Sequence, residues 1–231
     1  MKKYQQLLNV AIYFILIPML LIFGFFILRD KQYNLISMSI VILMCVPFFI
    51  AYEKKESTSR ELVLLAIMVS LAVVGRTAFF FLPALNPMAA MVILAGVYLG
   101  PDLGFMTGAL SPLISNMIFT QGPWTPFQMF SYGLVGFIAG WPFIAKLAKK
   151  NRVILSLLGI LVGVSYSLLM DIWTVLSMDR SFSIERYLVV ITQAIPFTIS
   201  YLIANVTFLN ILNTAIGTRI ERVKMKYGIN I

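Results

Sequence analysis

Long apolar runs broken by short polar or charged punctuation dominate this chain of 231 residues. Eight runs can be drawn, at about residues 7–28, 33–52, 61–82, 87–99, 103–119, 124–147, 153–177 and 187–212. Most reach the roughly 20 residues that an α-helix needs to cross about 30 Å of hydrocarbon. Residues 87–99 and 103–119 fall short, which predicts tilt, a broken helix or partial burial there. The pattern predicts an all-α, polytopic integral membrane protein of about eight transmembrane helices. Lys2 and Lys3 precede the first run, which is too long for a signal-peptide core and has no small-residue cleavage site, so it reads as a retained helix. The soluble-looking stretch EKKESTSR, residues 53–60, divides an N-terminal transmembrane hairpin with its linker (1–58) from a six-helix core (59–231).

Composition supports the membrane class. Hydrophobic residues make up 60% of the chain, charged residues 12%, and mean hydropathy is +0.92. The 18 Lys and Arg sit mostly in clusters between runs, which argues for the positive-inside rule and not for nucleic acid. With both termini cytoplasmic, 13 of them fall on inside ends and four outside (Arg29, Lys31, Arg180, Arg186), and Arg76 lies within a helix. That asymmetry predicts a multi-pass cell-membrane protein with an even number of spans. Histidine is absent, which removes His-dependent triads, most zinc sites and histidine proton relays. The lone cysteine, Cys45, lies in an apolar run and allows no intrachain disulfide. No GxxxxGK[ST] motif is present, so the chain is not its own P-loop ATPase.

The polar groups inside the runs gather at one level. Arg76 lies 16 residues past Arg60, and Asp171 lies 19 past Arg152. At about 1.5 Å per residue both fall near the outer face, since the two starting points are cytoplasmic. Neither side chain tolerates lipid, so each needs a partner or a water-filled cavity. A helix-fixing salt bridge is one reading, and an outward-facing pocket is the other. Asn86, Asn116, Gln121, Gln128 and Gln193 fall at the same height, as do Phe79, Phe80, Phe81, Trp124, Phe127, Tyr132 and Trp173, while Asn205 and Asn210 lie deeper. An apolar wall with a few convergent polar groups is how small-molecule pockets are built. An interfacial aromatic belt would use some of the same residues. The stretch FTQGPWTPFQMFSYGLVGFIAG, residues 119–140, combines such a turn with glycines at 133, 136 and 140. Gly96, Gly100, Gly104 and Gly108, and Gly159 with Gly163, recur at four-residue spacing, which predicts close helix packing. Ala66 and Ser70 form a further small pair that serves either intramolecular packing or contact with another subunit. No internal repeat of the kind that builds inverted-repeat transporters is visible.

Residues 76–140, RTAFFFLPALNPMAAMVILAGVYLGPDLGFMTGALSPLISNMIFTQGPWTPFQMFSYGLVGFIAG, resemble the substrate-binding S components of energy-coupling factor (ECF) vitamin transporters. The six runs from residue 61 onward match that family's six-helix core, and the N-terminal hairpin looks like its cobalamin-related branch. The resemblance implies a subunit that captures a vitamin, with cobalamin the leading candidate, at the extracellular side. It also implies partners: a transmembrane coupling protein and two ATPases that use ATP and Mg, with no cofactor in this chain itself. The family's AxxxA contact motif falls here on Ala66 to Ser70, with serine as the second small residue. Under this reading Arg76 and Asp171 orient polar groups of the ligand, and Asn86, Asn116, Gln121 and Gln128 hydrogen-bond to it. Phe80, Trp124, Tyr132 and Trp173 pack against it, and residues 82–87, 120–126 and 178–186 form the rim. Another vitamin or micronutrient, a stand-alone secondary transporter using Asp171, an intramembrane enzyme and a purely structural subunit are the rival readings.

Overall fold

The computed structural model describes residues 2–27, 35–36, 39–40, 42–43, 59–82, 84–179 and 182–227. Every regular element among them is helical, and the chain is an all-α membrane protein. The N-terminal helix α1, Lys2–Ala11, passes through a π-helical turn, Ile12–Leu16, into α2, Ile17–Phe26. The rest of the chain forms α3 (Ser59–Ala78), α4 (Met88–Leu99), α5 (Pro101–Phe119), α6 (Thr125–Ala139), α7 (Pro142–Lys150), α8 (Arg152–Asp179) and α9 (Ile184–Tyr227). Most of the second predicted run, with Cys45 and the 53–58 linker, lies outside the described residues.

Among the described residues, four helical stretches are long and apolar enough to cross a membrane by themselves. A fifth is added if α6 and α7 count as one bent span. The second of the eight runs lies mostly outside the described residues, and physical reasons account for two of the others. All twelve residues of α4 are buried, and a helix of that length spans only about 18 Å. It is therefore a core helix wrapped by its neighbours; of the alternatives of tilt, a broken helix or partial burial, burial holds, and it is complete. The run at 124–147, expected as one span, bends by 72° between α6 and α7. Pro142 has no N–H to continue the ladder and pushes the residue before it out of the helical region. Trp141 accordingly sits at φ −57° and ψ 130°. The last run continues unbroken through the basic tail, so that α9 has 44 residues and is about 66 Å long.

The predicted glycine contacts are formed. A Cβ at Gly104 would land on the backbone carbonyl of Gly136, and one at Gly136 on that of Gly104. Gly108 abuts the Tyr132 carbonyl in the same way, and Gly96 abuts Gly136. The backbones of α5 and α6 thus touch directly, and this is the most extensive helix pair in the fold. Gly100, at φ 88°, turns α4 into α5, a conformation that favours glycine. On the outer side of this pair the N-terminal helix docks through Tyr13, whose ring stacks on Phe105 at 3.8 Å. Asn9 also donates to Asp102 at 2.7 Å.

Basic and polar groups tie one end of the bundle together. Lys149 pairs with Glu221 at 2.8 Å, Lys224 donates to the Tyr98 carbonyl at 3.0 Å, and Arg60 donates to the Tyr227 carbonyl. The C-terminal end of α3, the N-terminal end of α6 and residues 79–82, 84–87 and 120–124 lie at the opposite end.

Candidate functional site

At that opposite end the close approach of α5 and α6 brings together a polar frame. Asn116, 1% exposed near the end of α5, donates through Nδ2 to Gln128 Oε1 at 2.8 Å and to Thr125 Oγ1 at 2.9 Å, both on α6. Its Oδ1 accepts from Arg76 Nη1 at 2.9 Å. The same Nη1 donates to Ser115 Oγ at 3.0 Å, and the guanidinium lies 5.0 Å from the centre of the Phe119 ring. Arg76 has no carboxylate within ion-pair distance among the described residues. Its charge is held by neutral oxygens and one aromatic face, which leaves the remaining guanidinium donors for another acceptor.

This frame forms one wall of a cavity of about 260 Å³. Arg76, Gln128, Tyr132, Tyr166 and Tyr201 line its depth, and Phe79, Phe80, Leu82, Ala84, Asn86, Met88 and Phe119 complete it. Tyr132, 6% exposed, lies 4.3 Å from the Tyr166 ring, and Tyr166 lies edge-on to Tyr201 at 5.5 Å. Phe80 stacks on Phe119 at 5.1 Å at the mouth, while Phe81 next to it is 87% exposed. Ala84 (φ 61°) and Thr120 (φ 139°) adopt positive φ in the two adjoining connections. Such strain in non-glycine residues is held only where the surroundings over-determine it, and it collects at ligand sites. Chemically the cavity offers donors and flat faces. Gln128 has its carbonyl engaged by Asn116 and its amide N–H groups unengaged among the described residues, beside Arg76 and three tyrosines. Ligand carbonyls or anionic oxygens on an aromatic ring system match that set.

The predicted residues divide into three groups. Arg76, Phe80, Asn86, Gln128 and Tyr132 line the cavity, and Asn116 stands directly behind Arg76 and Gln128. Asn86 also caps α4, accepting from the Met88 N–H at 3.1 Å. Gln121, Trp124 and Trp173 lie outside the lining. Gln121 Nε2 donates to the Leu113 carbonyl at 2.9 Å, and Trp124 meets Trp173 edge-on at 6.2 Å, so these three pack helix ends together. Asp171 opens instead on a separate cavity of about 140 Å³ between α8 and α9, lined by Ser167, Thr198 and several aliphatic residues. The helix-fixing salt bridge between Arg76 and Asp171 is not formed. Ala66 and Ser70 are both exposed on α3, so they are not packed against the other described residues. Ser115, Phe119, Tyr166 and Tyr201 belong to the site or its frame and were not singled out from the sequence. The tyrosines carried a usable signal, because a buried mid-helix tyrosine needs somewhere to place its hydroxyl.

A family model described as the ECF-type riboflavin transporter, S component, matches residues 56–222. No characterised protein and no solved structure matched the chain. The match spans well over half the chain and contains every residue of the cavity, and the chain belongs to this family of S components, which are membrane transporter subunits and not enzymes.

Proposed function

We propose that this S component captures riboflavin, or a vitamin with the same flat heteroaromatic core, in the cavity around Arg76. The observation that carries the reading is the donor-rich, aromatic-walled cavity of about 260 Å³, with a guanidinium that has no carboxylate partner among the described residues. An isoalloxazine ring presents two carbonyl oxygens on one edge, which suits Arg76 and Gln128. Its faces suit the rings of Phe80, Phe119 and Tyr132, and its ribityl chain is left pointing to the open side. The description of the matching family supports the same substrate. Cobalamin, the leading candidate from the sequence, has no such support, because the matching family's description names riboflavin.

The charge distribution supports cytoplasmic termini, which puts the cavity mouth on the extracellular side. Uptake against a gradient then requires the ECF module, a transmembrane coupling protein with two ATPases. The exposed pair Ala66 and Ser70 on α3 is our proposed contact for the coupling protein, since small side chains let a partner helix approach closely. Titrating the purified full chain with riboflavin, thiamine and cobalamin, and following flavin or protein fluorescence, tests the substrate. Saturable one-to-one riboflavin binding at submicromolar concentration is expected, with no competition from cobalamin. Tighter binding of cobalamin than of riboflavin would overturn the proposal.

A further inference from the structure

The short helix α7 has one face that the substrate site leaves unused. Ala145 and Ala148 turn inward and are buried against the bundle. On the opposite face the helical spacing i, i+3, i+4, i+7 aligns Phe143, Lys146, Leu147 and Lys150, all exposed. Phe143 is 70% exposed, and Trp141, just before the helix, also points outward. Lys149, the third lysine of the helix, is engaged by Glu221. Lys146 and Lys150 have no hydrogen-bond, ion-pair or ring partner among the described residues.

The bend gives this stripe its orientation. If α6 crosses the membrane near the bilayer normal, a helix turned by 72° from it runs close to the membrane plane. Large apolar side chains on such a helix dip toward the acyl chains, while lysine stems lie along the apolar surface and raise their ammonium groups to the headgroup level. Around the helix Phe143 and Leu147 lie to one side of this stripe and Lys146 and Lys150 to the other, the segregation that an interfacial helix needs, and the stripe is a poor fit to a protein groove, where both charges would have to be desolvated.

We propose that α7 is an in-plane helix whose Phe143–Lys146–Leu147–Lys150 face binds anionic phospholipid headgroups at the basic end of the bundle. Lys146 and Lys150 hold the phosphates, and Trp141, Phe143 and Leu147 anchor the helix among the upper acyl carbons. The assignment rests on the geometry of α7 and is independent of the vitamin bound at the far end.

The test uses the full-length chain in phosphatidylcholine vesicles that contain a minor fraction of phosphatidylglycerol, with bromine on the acyl chains of one lipid or the other. Bromine quenches nearby tryptophan, and the Trp141 contribution is isolated by subtracting the signal of the W141F variant. Brominated phosphatidylglycerol should be favoured around Trp141 by about fivefold over brominated phosphatidylcholine at low salt, the scale of one lysine at an anionic surface. The double variant K146Q/K150Q should bring the two lipids to near parity, while K149Q should leave a clear preference. Both lysines are exposed, so loss of the fold is not expected, and riboflavin binding of the variants provides an independent check of folding. Equal quenching by the two lipids in the unaltered protein would overturn the proposal. So would a preference that survives K146Q/K150Q, which would assign the anionic lipid to Arg219, Arg222 or the α9 tail.

Discussion

Asn116 Nδ2 lies 2.8 Å from Gln128 Oε1, and this bond joins the end of α5 to the start of α6 where their backbones are already in contact. The same carboxamide accepts from Arg76, so one neutral side chain fixes both the cation and the amide that face the cavity. Three helices converge on it, and the cavity-facing groups inherit their positions from it.

Removing the cation should abolish most of the affinity with little loss of fold. Arg76→Gln is expected to weaken riboflavin binding by about tenfold to a hundredfold, the scale of a lost charge-assisted hydrogen bond of roughly 1.5–3 kcal/mol. Arg76→Lys should recover only part of this, because an ammonium cannot hold Asn116 and Ser115 while presenting a second flat edge to the ligand. Equilibrium fluorescence titration reads both variants.

Asn116 and Gln128 should separate stability from binding. Asn116→Leu leaves the buried Thr125 hydroxyl and the Gln128 carbonyl without their donor and should lower the melting temperature as well as the affinity. Gln128→Ala removes a cavity-facing donor and should weaken binding while changing the melting temperature by much less. Thermal unfolding in detergent, with and without riboflavin, distinguishes the two.

Gly136 tests the role of the helix contact. Its Cβ would meet the Gly104 carbonyl, which is backbone and cannot rotate away. Gly136→Ala should cost about 1–3 kcal/mol through overpacking and, by parting α5 from α6, should also reduce riboflavin affinity. Ser70→Ala, on the exposed face of α3, should leave both stability and binding unchanged. The paired Ser70→Trp should block assembly with the coupling protein, measured by co-purification, while riboflavin binding persists.

Asp171 separates the one-cavity account from the stand-alone transporter. It is 7% exposed, its Oδ2 has no hydrogen-bond partner among the described residues, and it faces the smaller cavity between α8 and α9. Asp171→Asn should leave riboflavin affinity within about twofold of the original and should not create or abolish uptake driven by a pH gradient. Vesicle uptake with and without the ATP-driven module reads this directly. Uptake by the isolated chain that follows the pH gradient and disappears in Asp171→Asn would favour the rival mechanism.

Much of this was legible in the residue order, for identifiable reasons. Arg76 stood out because a cation in an apolar run has few places to go, and the glycine spacing announced close helix packing, although it did not say that α5 and α6 would be the pair. Asn116, Gln128 and Tyr132 followed from their shared depth. Depth along a helix is all that spacing provides, however, and it does not say which way a side chain points. Asp171 and Trp173 lie at about the expected height along α8 and yet face other neighbours. The bend at Trp141 and Pro142 was masked by apolar residues on both sides, although proline is the one residue that could have announced it. Tyr166 and Tyr201 were hidden for the opposite reason: in long apolar runs a tyrosine passes for another hydrophobic residue until its neighbours are known.

The most direct test of the central claim is the absorption spectrum and mass spectrum of the protein as purified from cells without added vitamin, repeated for Arg76→Gln. A bound flavin in the unaltered protein, absent or strongly depleted in the variant, is the predicted result. A corrin absorption band in place of the flavin, or a flavin retained equally by Arg76→Gln, would contradict it.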